Sequence, residues 1–181
     1  CEKRFLTDDS PAVLTVVPAD PAKVTATVEP ASADAGASAT VTCVVEDAYG
    51  VRWDRSVDKD IGIVCNRMVT EETLETYAFP DLDDPLVWEQ FDEKMRTRGP
   101  DEFVVANLGF SLYERAWTLS GMETLLLAMG ADPPFAHRLL DRVLEHNLRI
   151  IERACAYDID AMMFGDDWGC QRGVLMGPDL W

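Results

Sequence analysis

Two adjacent carboxylates in a glycine-flanked turn near the end of the printed sequence are the residues with the clearest capacity for chemistry. Asp166 and Asp167 follow a short apolar run, and the stretch continues through Trp168 and Gly169 to Arg172. In parallel α/β folds the carboxyl ends of the strands face the active site, where a carboxylate can orient a polar substrate, accept a proton or bind a metal. Successive side chains of a strand point to opposite faces, so only one of the two carboxylates can face such a site.

Two interpretations of this turn are open. In the first, Arg172 pairs with a carboxylate of the turn or holds a substrate carboxylate through a two-pronged contact. In the second, the turn is structural: an aspartate caps the next helix, and Trp168 closes the end of the barrel. The residues of the turn favour neither interpretation.

Two apolar runs predict the buried strands that would position this turn. Residues 103–108 lie between Pro100 and Gly109, and residues 159–164 directly precede the turn. Short apolar runs of this kind fit strands that are buried on both faces of a parallel sheet. Helix signals lie between them, and the order strand, helices, strand predicts the right-handed crossover of an α/β barrel or a doubly wound sheet.

Capping signals predict the helices around these strands. Asp84 and Pro85 are typical of a first helical turn, and Gly99 with Pro100 ends that helix. We expect its buried side to consist of Leu86, Trp88, Phe91 and Met95.

Two capping boxes predict two short helices after the first buried strand. They are formed by Ser111 with Glu114 and by Ser120 with Glu123. In each box, the hydroxyl and the carboxylate would satisfy free N–H groups at the helix start. Gly130 would then end the second helix in a left-handed conformation.

Asp132 is expected to cap the longest helix. Its predicted apolar stripe is Phe135, Leu139, Val143, Leu144, Leu148, Ile151, Ala154 and Cys155. His137 and His146 are interpreted as surface or edge histidines of this helix rather than ligands.

The first part of the sequence has a different composition, rich in Thr, Ala, Val and Pro. Residues 24–28 and 39–45 alternate with a period of two around a Pro- and Gly-containing loop, which predicts antiparallel strands. Pro11, Pro18 and Pro21 limit the earlier segment to an edge strand or coil. We therefore predict a Thr/Val-rich β segment over residues 1–48 and a second domain over residues 49–181.

Composition excludes several classes of function. The net charge of −17 argues against nucleic acid, which needs clustered Lys and Arg. No apolar run reaches about 18 residues, which argues against a membrane span. The five cysteines are scattered, without the spacing of a zinc ribbon or a disulfide framework, so we predict a cytoplasmic location and no metal ligands in this segment.

Residues 20–50 resemble the opening strands of a bacterial immunoglobulin-like repeat. The likeness rests on residues 21–24, 35–42 and 45–50. Such a sandwich needs about seven strands, and about three can be recognised here. A Thr-rich hairpin that belongs to an unusual N-terminal region is the alternative.

Residues 46–181 resemble the uroporphyrinogen decarboxylase-like superfamily. The stretches that carry the likeness are 50–53, 77–85, 107–117, 121–123, 132–141, 164–169 and 175–181. The resemblance implies the N-terminal part of a (β/α)8 TIM-type barrel, preceded here by a short β-rich segment. It also implies a site at the strand ends, in which Asp166 and Asp167 are the catalytic candidates and Asn107, Phe110, Arg115, Trp168, Gly169 and Arg172 bind the substrate.

The resemblance implies one of two activities of that superfamily. One is cofactor-free decarboxylation of a tetrapyrrole, and the other is methyl transfer from a corrinoid protein, usually with zinc. No cofactor is predicted in this segment itself; zinc and a corrinoid partner would belong to a methyltransferase parent. Besides a small-molecule substrate, the partners considered are a second copy of the chain and a corrinoid protein.

The sequence also departs from the superfamily pattern. The arginine-bearing motif R-Q-A-G-R-Y is absent, and the position of a substrate-binding tyrosine matches Gly130. The later Ser and His of the decarboxylase and the zinc ligands of the methyltransferases are expected beyond Trp181. A barrel needs about 250 residues, so we expect this chain alone to be inactive. The alternatives are a non-enzymatic surface or adhesion module fused to a barrel remnant, and a chimeric sequence.

Overall fold

The computed structural model describes residues 14–18, 22–29, 40–56 and 62–180, with side chains from residue 44 onward. Within these ranges the strands are β1 (Leu14–Pro18), β2 (Ala22–Glu29), β3 (Thr40–Asp47), β4 (Arg52–Asp54), β5 (Ile63–Val64), β6 (Phe103–Phe110), β7 (Ala161–Gly165), β8 (Gly169–Cys170) and β9 (Gly173–Val174). The helices are α1 (Pro85–Thr97), α2 (Tyr113–Ser120), α3 (Met122–Ala131) and α4 (Pro133–Ala154).

A parallel sheet with the order β1-β6-β7 positions the predicted site. Val104, Ala106 and Leu108 of the central strand β6 are buried, which confirms the predicted buried strand, although Phe103 at its start is 42% exposed. The prediction of a buried strand at 159–164 was wrong: β7 begins at Ala161, and Met163 and Phe164 are exposed because β7 lies at the edge of the described sheet. Helices α2, α3 and α4 lie between β6 and β7 in the sequence, as the crossover pattern predicted. Across the described residues this sheet is open, and the TIM-type barrel stays a prediction.

An antiparallel sheet with the order β2-β3-β4-β5 contains the two alternating runs near the start of the sequence. Strand β2 pairs with β3 along eight residues, with Val24 opposite Val45. Strand β1 pairs with β6 and β3 pairs with β4, so strand pairing crosses residue 48. The division into two domains at that residue stays a prediction.

Helix α1 begins as its sequence predicted, because the Asp84 carboxylate accepts a hydrogen bond of 3.0 Å from the Leu86 N–H. Trp88 and Phe91 are buried against β6, and Met95 is partly buried beside them. Leu86 was wrongly assigned to the buried side. It is 69% exposed, because it lies in the first turn beyond the edge of the small core.

Neither predicted capping box forms. No side chain of the Ser111 box caps α2, and the Ser120 hydroxyl instead donates to the Ala116 carbonyl inside that helix. Helix α3 begins after Gly121, whose φ of +91° favours glycine. It continues through Gly130 to Ala131, so the predicted left-handed stop at Gly130 was wrong.

Helix α4 is capped by Asp132, as predicted, through a weak 3.5 Å contact from the Phe135 N–H. Its buried side is Phe135, Ala136, Leu139, Val143, His146, Asn147, Ile150 and Ala154. Leu144 and Leu148 are exposed, because the core covers the neighbouring face of the helix. The interpretation of His146 as a surface or edge residue was therefore wrong, whereas His137 is exposed as predicted.

Two hydrophobic clusters hold these elements together. The larger one joins residues of the antiparallel sheet to the helices, including Val45, Trp53, Leu119 and Leu139. The smaller one packs α1 and the end of α4 against β6. Among the described residues, no helix is long and apolar enough to cross a membrane.

Candidate functional site at the carboxyl ends of β6 and β7

The carboxyl ends of β6 and β7 meet at a tight junction. Phe110 lies opposite Gly165, and the Ser111 N–H donates to the Gly165 carbonyl at 2.9 Å. A Cβ atom on Gly165 would lie 3.2 Å from the Gly109 carbonyl oxygen, so glycine allows the two strands to approach. The Asn107 side chain accepts a hydrogen bond from the Gly109 N–H at 2.9 Å and holds the irregular end of β6 in place.

Asp166 is fully engaged by the start of α2. Its two carboxylate oxygens accept hydrogen bonds from the Tyr113 N–H at 2.9 Å and the Glu114 N–H at 2.7 Å. These N–H groups belong to the first helical turn, which has no intrahelical acceptors for them, and the negative charge complements the helix dipole. Asp166 therefore caps a helix, as the structural interpretation held, but the helix is the earlier α2 rather than the next one in the sequence.

Asp167 is the exposed carboxylate of the pair. One of its oxygens accepts a hydrogen bond from the Gly169 N–H at 3.1 Å, which closes a short turn. Its own backbone N–H is close enough to the Glu114 carboxyl to lower the pKa of that group. Of the two predicted catalytic aspartates, Asp167 is thus the one with a solvent-facing side chain.

Glu114 is a functional candidate that sequence reasoning missed. Partial burial raises the pKa of its carboxyl above the usual value, and the nearby charges of Asp166 and Asp167 act in the same direction. The Asp167 N–H and Arg115 oppose that shift. The capping-box pattern had given Glu114 a structural role, and its distance in sequence from the aspartates hid the cluster.

Three of the predicted binding residues lie just after β7. Trp168 is partly buried and packs against the larger cluster, and its carbonyl accepts from the Leu175 N–H at 3.0 Å. Gly169 opens the small β8–β9 hairpin, and Arg172 is exposed in the turn of that hairpin. Arg172 is therefore accessible to solvent in the hairpin that follows β7.

Arg115 lies in the interior rather than at the open edge. Only 3% of its side chain is exposed, and its guanidinium donates to the Asp47 carboxylate at 3.0 Å. The guanidinium carbon lies 3.7 Å from the centroid of the Tyr49 ring and 5.7 Å from that of Phe110. Arg115 and Phe110 are thus parts of one buried cluster, which would have to open before a substrate could contact Arg115.

The titratable residues at this edge are carboxylates. In the parts of the chain that the structure describes, no group of three or more His, Cys, Asp or Glu side chains has an arrangement that could hold a metal ion. What the edge offers chemically is an exposed carboxylate at Asp167 and a carboxyl with a raised pKa at Glu114, and Arg172 is exposed in the hairpin that follows.

Comparison with protein-family models, with curated proteins and with solved structures finds no match to this chain. Membership of a family is therefore not established by similarity. The function proposed below rests on the geometry of the strand ends and on the residue pattern.

Proposed function

We propose that this chain is the N-terminal part of an α/β barrel enzyme of the uroporphyrinogen decarboxylase-like type, acting on a small molecule at the carboxyl ends of β6 and β7. The observation that carries the proposal is the meeting of Glu114 and Asp167 at this edge. They are far apart in the sequence, yet the backbone N–H and the side-chain charge of Asp167 both act on the pKa of Glu114. A pair of carboxyls in unequal environments is a common arrangement for general acid and base chemistry.

The proposed roles follow from the surroundings of each group. Glu114, whose pKa is raised, retains its proton to a higher pH than an ordinary glutamate and acts as the proton donor. Asp167 is the exposed partner that orients a polar substrate, and Arg172 contacts an acidic group of that substrate. Asp166 acts on the chemistry only by fixing the start of α2 and hence the position of Glu114.

A proton donor fits the decarboxylase branch of the resemblance, because a proton must replace the carboxylate that leaves as CO₂. The charges at the edge, however, disfavour a substrate with many carboxylates. Three acidic side chains (Glu114, Asp166 and Asp167) lie here, and Arg115 is already paired with Asp47. We therefore propose a substrate with at most one or two acidic groups, which keeps corrinoid-linked methyl transfer as a second reaction class.

The location and partners belong to the same proposal. Cys65, Cys155 and Cys170 are free and exposed, which is typical of a reducing compartment and supports a cytoplasmic enzyme. A corrinoid protein would be the partner for methyl transfer, and a second copy of the chain is the other partner considered. Val45 and Trp53 of the antiparallel sheet share a core with α2 and α4, which supports one enzymatic unit over an adhesion module.

A direct test is protein-observed NMR of the isotope-labelled chain, titrated with methylcobalamin, uroporphyrin and a set of small monocarboxylic acids. We expect a small acid or methylcobalamin to shift the Trp168 indole and Glu114 amide signals, and Asp167→Asn or Arg172→Gln to weaken that binding several-fold. Asp158→Asn is the matched control, because Asp158 is exposed near the opposite end of β7. Shifts that are equal in all four proteins, or binding confined to other surfaces, would contradict the proposal.

A further inference from the structure

A cleft lies along helix α4, on the side of this helix away from the exposed Leu144 and Leu148. It shares no residue with the site at the carboxyl ends of β6 and β7. It has a volume of about 370 Å³ and is formed between α4 and residues 77–81. Arg142, His146 and Arg149 line one wall, spaced four and three residues apart on the helix. Residues at such spacings lie on one helix face, so three basic side chains form a row along the cleft.

Arg142 is held in a fixed position with one amino group unused. Its Nη2 donates to the Tyr77 carbonyl at 2.9 Å, and its guanidinium carbon lies 5.4 Å from the centroid of the Phe79 ring. Its Nη1 is buried and has no hydrogen-bond partner among the described residues. A guanidinium presents its donors as a planar fork, and here one contact anchors the fork while another donor is left over.

His146 is the second unsatisfied group of the cleft. The side chain is only 4% exposed, and its Nε2 is buried without a partner in the described part of the chain. Its ring packs between Tyr49 and Phe79, with ring centroids 5.5 and 4.9 Å away. Buried polar atoms are nearly always hydrogen-bonded, so an unpaired Nε2 and an unpaired guanidinium nitrogen on residues that line the same cleft indicate a missing hydrogen-bond partner.

The cleft is lined by two arginines, Arg142 and Arg149, by two carboxylates and by His146. Burial lowers the pKa of His146 to about 4, and the charges of Arg149 and Arg115 act in the same direction. The carboxylates that line the cleft, Asp81 and Glu145, are both exposed. One Asp81 oxygen already accepts from the Asp83 N–H at 3.0 Å.

We propose that the cleft formed by Arg142, His146 and Arg149 binds an oxyanion group, either a phosphate or the carboxylate of a small molecule. The Arg142 Nη1 and the His146 ring would donate to its oxygens, and Arg149 would supply a further positive charge at the opening. Charge-assisted hydrogen bonds from a guanidinium are the strong interactions in such sites. The Phe79 ring packs against both side chains and the Tyr49 ring packs against His146, which restricts the orientations of the two donors. Both donor atoms are buried, so a small local movement must accompany anion binding.

The proposal can be tested by NMR titration of the full chain with sodium phosphate, with sodium acetate and with sodium chloride at matched ionic strength. We expect saturable shifts of the His146 ring and the Arg142 side-chain signals with phosphate or acetate, and a rise in the pKa of His146 when the anion is bound. The stronger of the two ligands identifies the group. The charges of Arg149 and Arg115 also act on that pKa. Arg142, Glu145 and Asp81 are the other charged residues that line the cleft.

Variants make the test specific. Arg142→Gln should weaken binding by at least tenfold, and Arg149→Gln should also weaken it. Because Arg149 is exposed, its replacement is not expected to disturb folding, so weaker binding by Arg149→Gln reports the lost charge. Arg138→Gln is the matched control, since Arg138 is on the same helix but outside the cleft, with only long contacts of 3.8 and 3.7 Å to Glu71 and Glu75. No saturable shift, equal binding by Arg142→Gln, or the same shifts in chloride would overturn the proposal and leave ordered water as the acceptor.

Discussion

The guanidinium of Arg115 donates to the carboxylate of Asp47 at 3.0 Å, and this contact joins helix α2 to the end of strand β3. The same carboxylate also accepts from the Tyr49 and Val51 N–H groups and from the Trp53 indole N–H. The pair is buried, so each charge depends on the other for compensation.

Removing one partner of this pair should be strongly destabilising. We expect Arg115→Met to lower the free energy of unfolding by about 3–5 kcal/mol, because it leaves the Asp47 charge buried without a countercharge. Urea denaturation followed by tryptophan fluorescence measures the loss. The double variant with Asp47→Asn should cost less than the sum of the two single changes, and strict additivity would mean that the two side chains do not interact.

The cap on α2 predicts unequal effects of two adjacent substitutions. Asp166→Ala removes both acceptors of the first helical turn and should cost about 1–2 kcal/mol of stability. Asp167→Ala is the matched control, because that side chain accepts only from the Gly169 N–H in its own turn. Thermal and urea unfolding compare the two variants, and an equal loss would show that the contact with α2 contributes nothing.

The burial of His146 predicts that the folded protein loses stability in acid. Its pKa is lowered to about 4 from an ordinary value of 6.5, so the unfolded chain binds a proton more readily than the folded one. The stability that depends on neutral His146 is complete above pH 6.5 and is lost as the pH falls toward 4, by up to about 3 kcal/mol. His146→Phe should fill the space between the Tyr49 and Phe79 rings and flatten this part of the stability curve.

The comparison for that experiment is His137→Gln, which changes an exposed histidine of the same helix. Unfolding free energies measured at several pH values between 4 and 7 should have the wild-type slope in His137→Gln and a smaller slope in His146→Phe. Identical slopes in all three proteins would refute the coupling between His146 and folding.

The raised pKa of Glu114 predicts a contribution to stability that decreases as the pH rises, which is the opposite of the effect of His146. A carboxyl whose pKa is higher in the folded state contributes stability below its unfolded pKa, and that stability is lost as the pH rises through the folded value. Glu114→Gln cannot ionise, so its stability relative to the wild type should improve as the pH increases from 4 to 7. Exposed Glu123 provides the control substitution Glu123→Gln, for which we expect no such trend.

A related measurement addresses the proposed active pair. The pKa of Glu114, followed by carboxyl-carbon NMR, should fall in Asp167→Asn because one of the charges that raises it is removed. The backbone N–H of residue 167 is retained in that variant, so a change reports the side-chain charge alone. An unchanged pKa would separate Glu114 from Asp167 and remove the main support for the proposed function.

The features that the residue pattern predicted correctly are mostly local. Asp84 and Asp132 cap helices that begin one residue later, and the buried strand β6 follows from a continuous apolar run. Such signals succeed because the donor, the acceptor and the turn that joins them are contained in a few neighbouring residues. The alternating strands β2 and β3 were also recognisable from their period of two.

The errors have a common cause in the packing of distant segments. Ser111 and Ser120 have the spacing of capping boxes, yet α2 is capped by Asp166, 53 residues away from Tyr113 along the chain. Leu144 was expected to be buried and is exposed, whereas His146 was expected at the surface and is buried. The reason is that the core covers a face of α4 that is rotated by about one residue from the predicted apolar stripe.

The sequence by itself thus determined where α1 and α4 begin and placed the paired aspartates at the end of a strand. Only the tertiary structure decided that Asp166 caps α2, that Asp167 is exposed, that Glu114 lies near it and that His146 is buried in a cleft with Arg142 and Arg149. Each of these depends on which elements lie side by side, and contacts between residues far apart in the chain leave no regular spacing in the sequence.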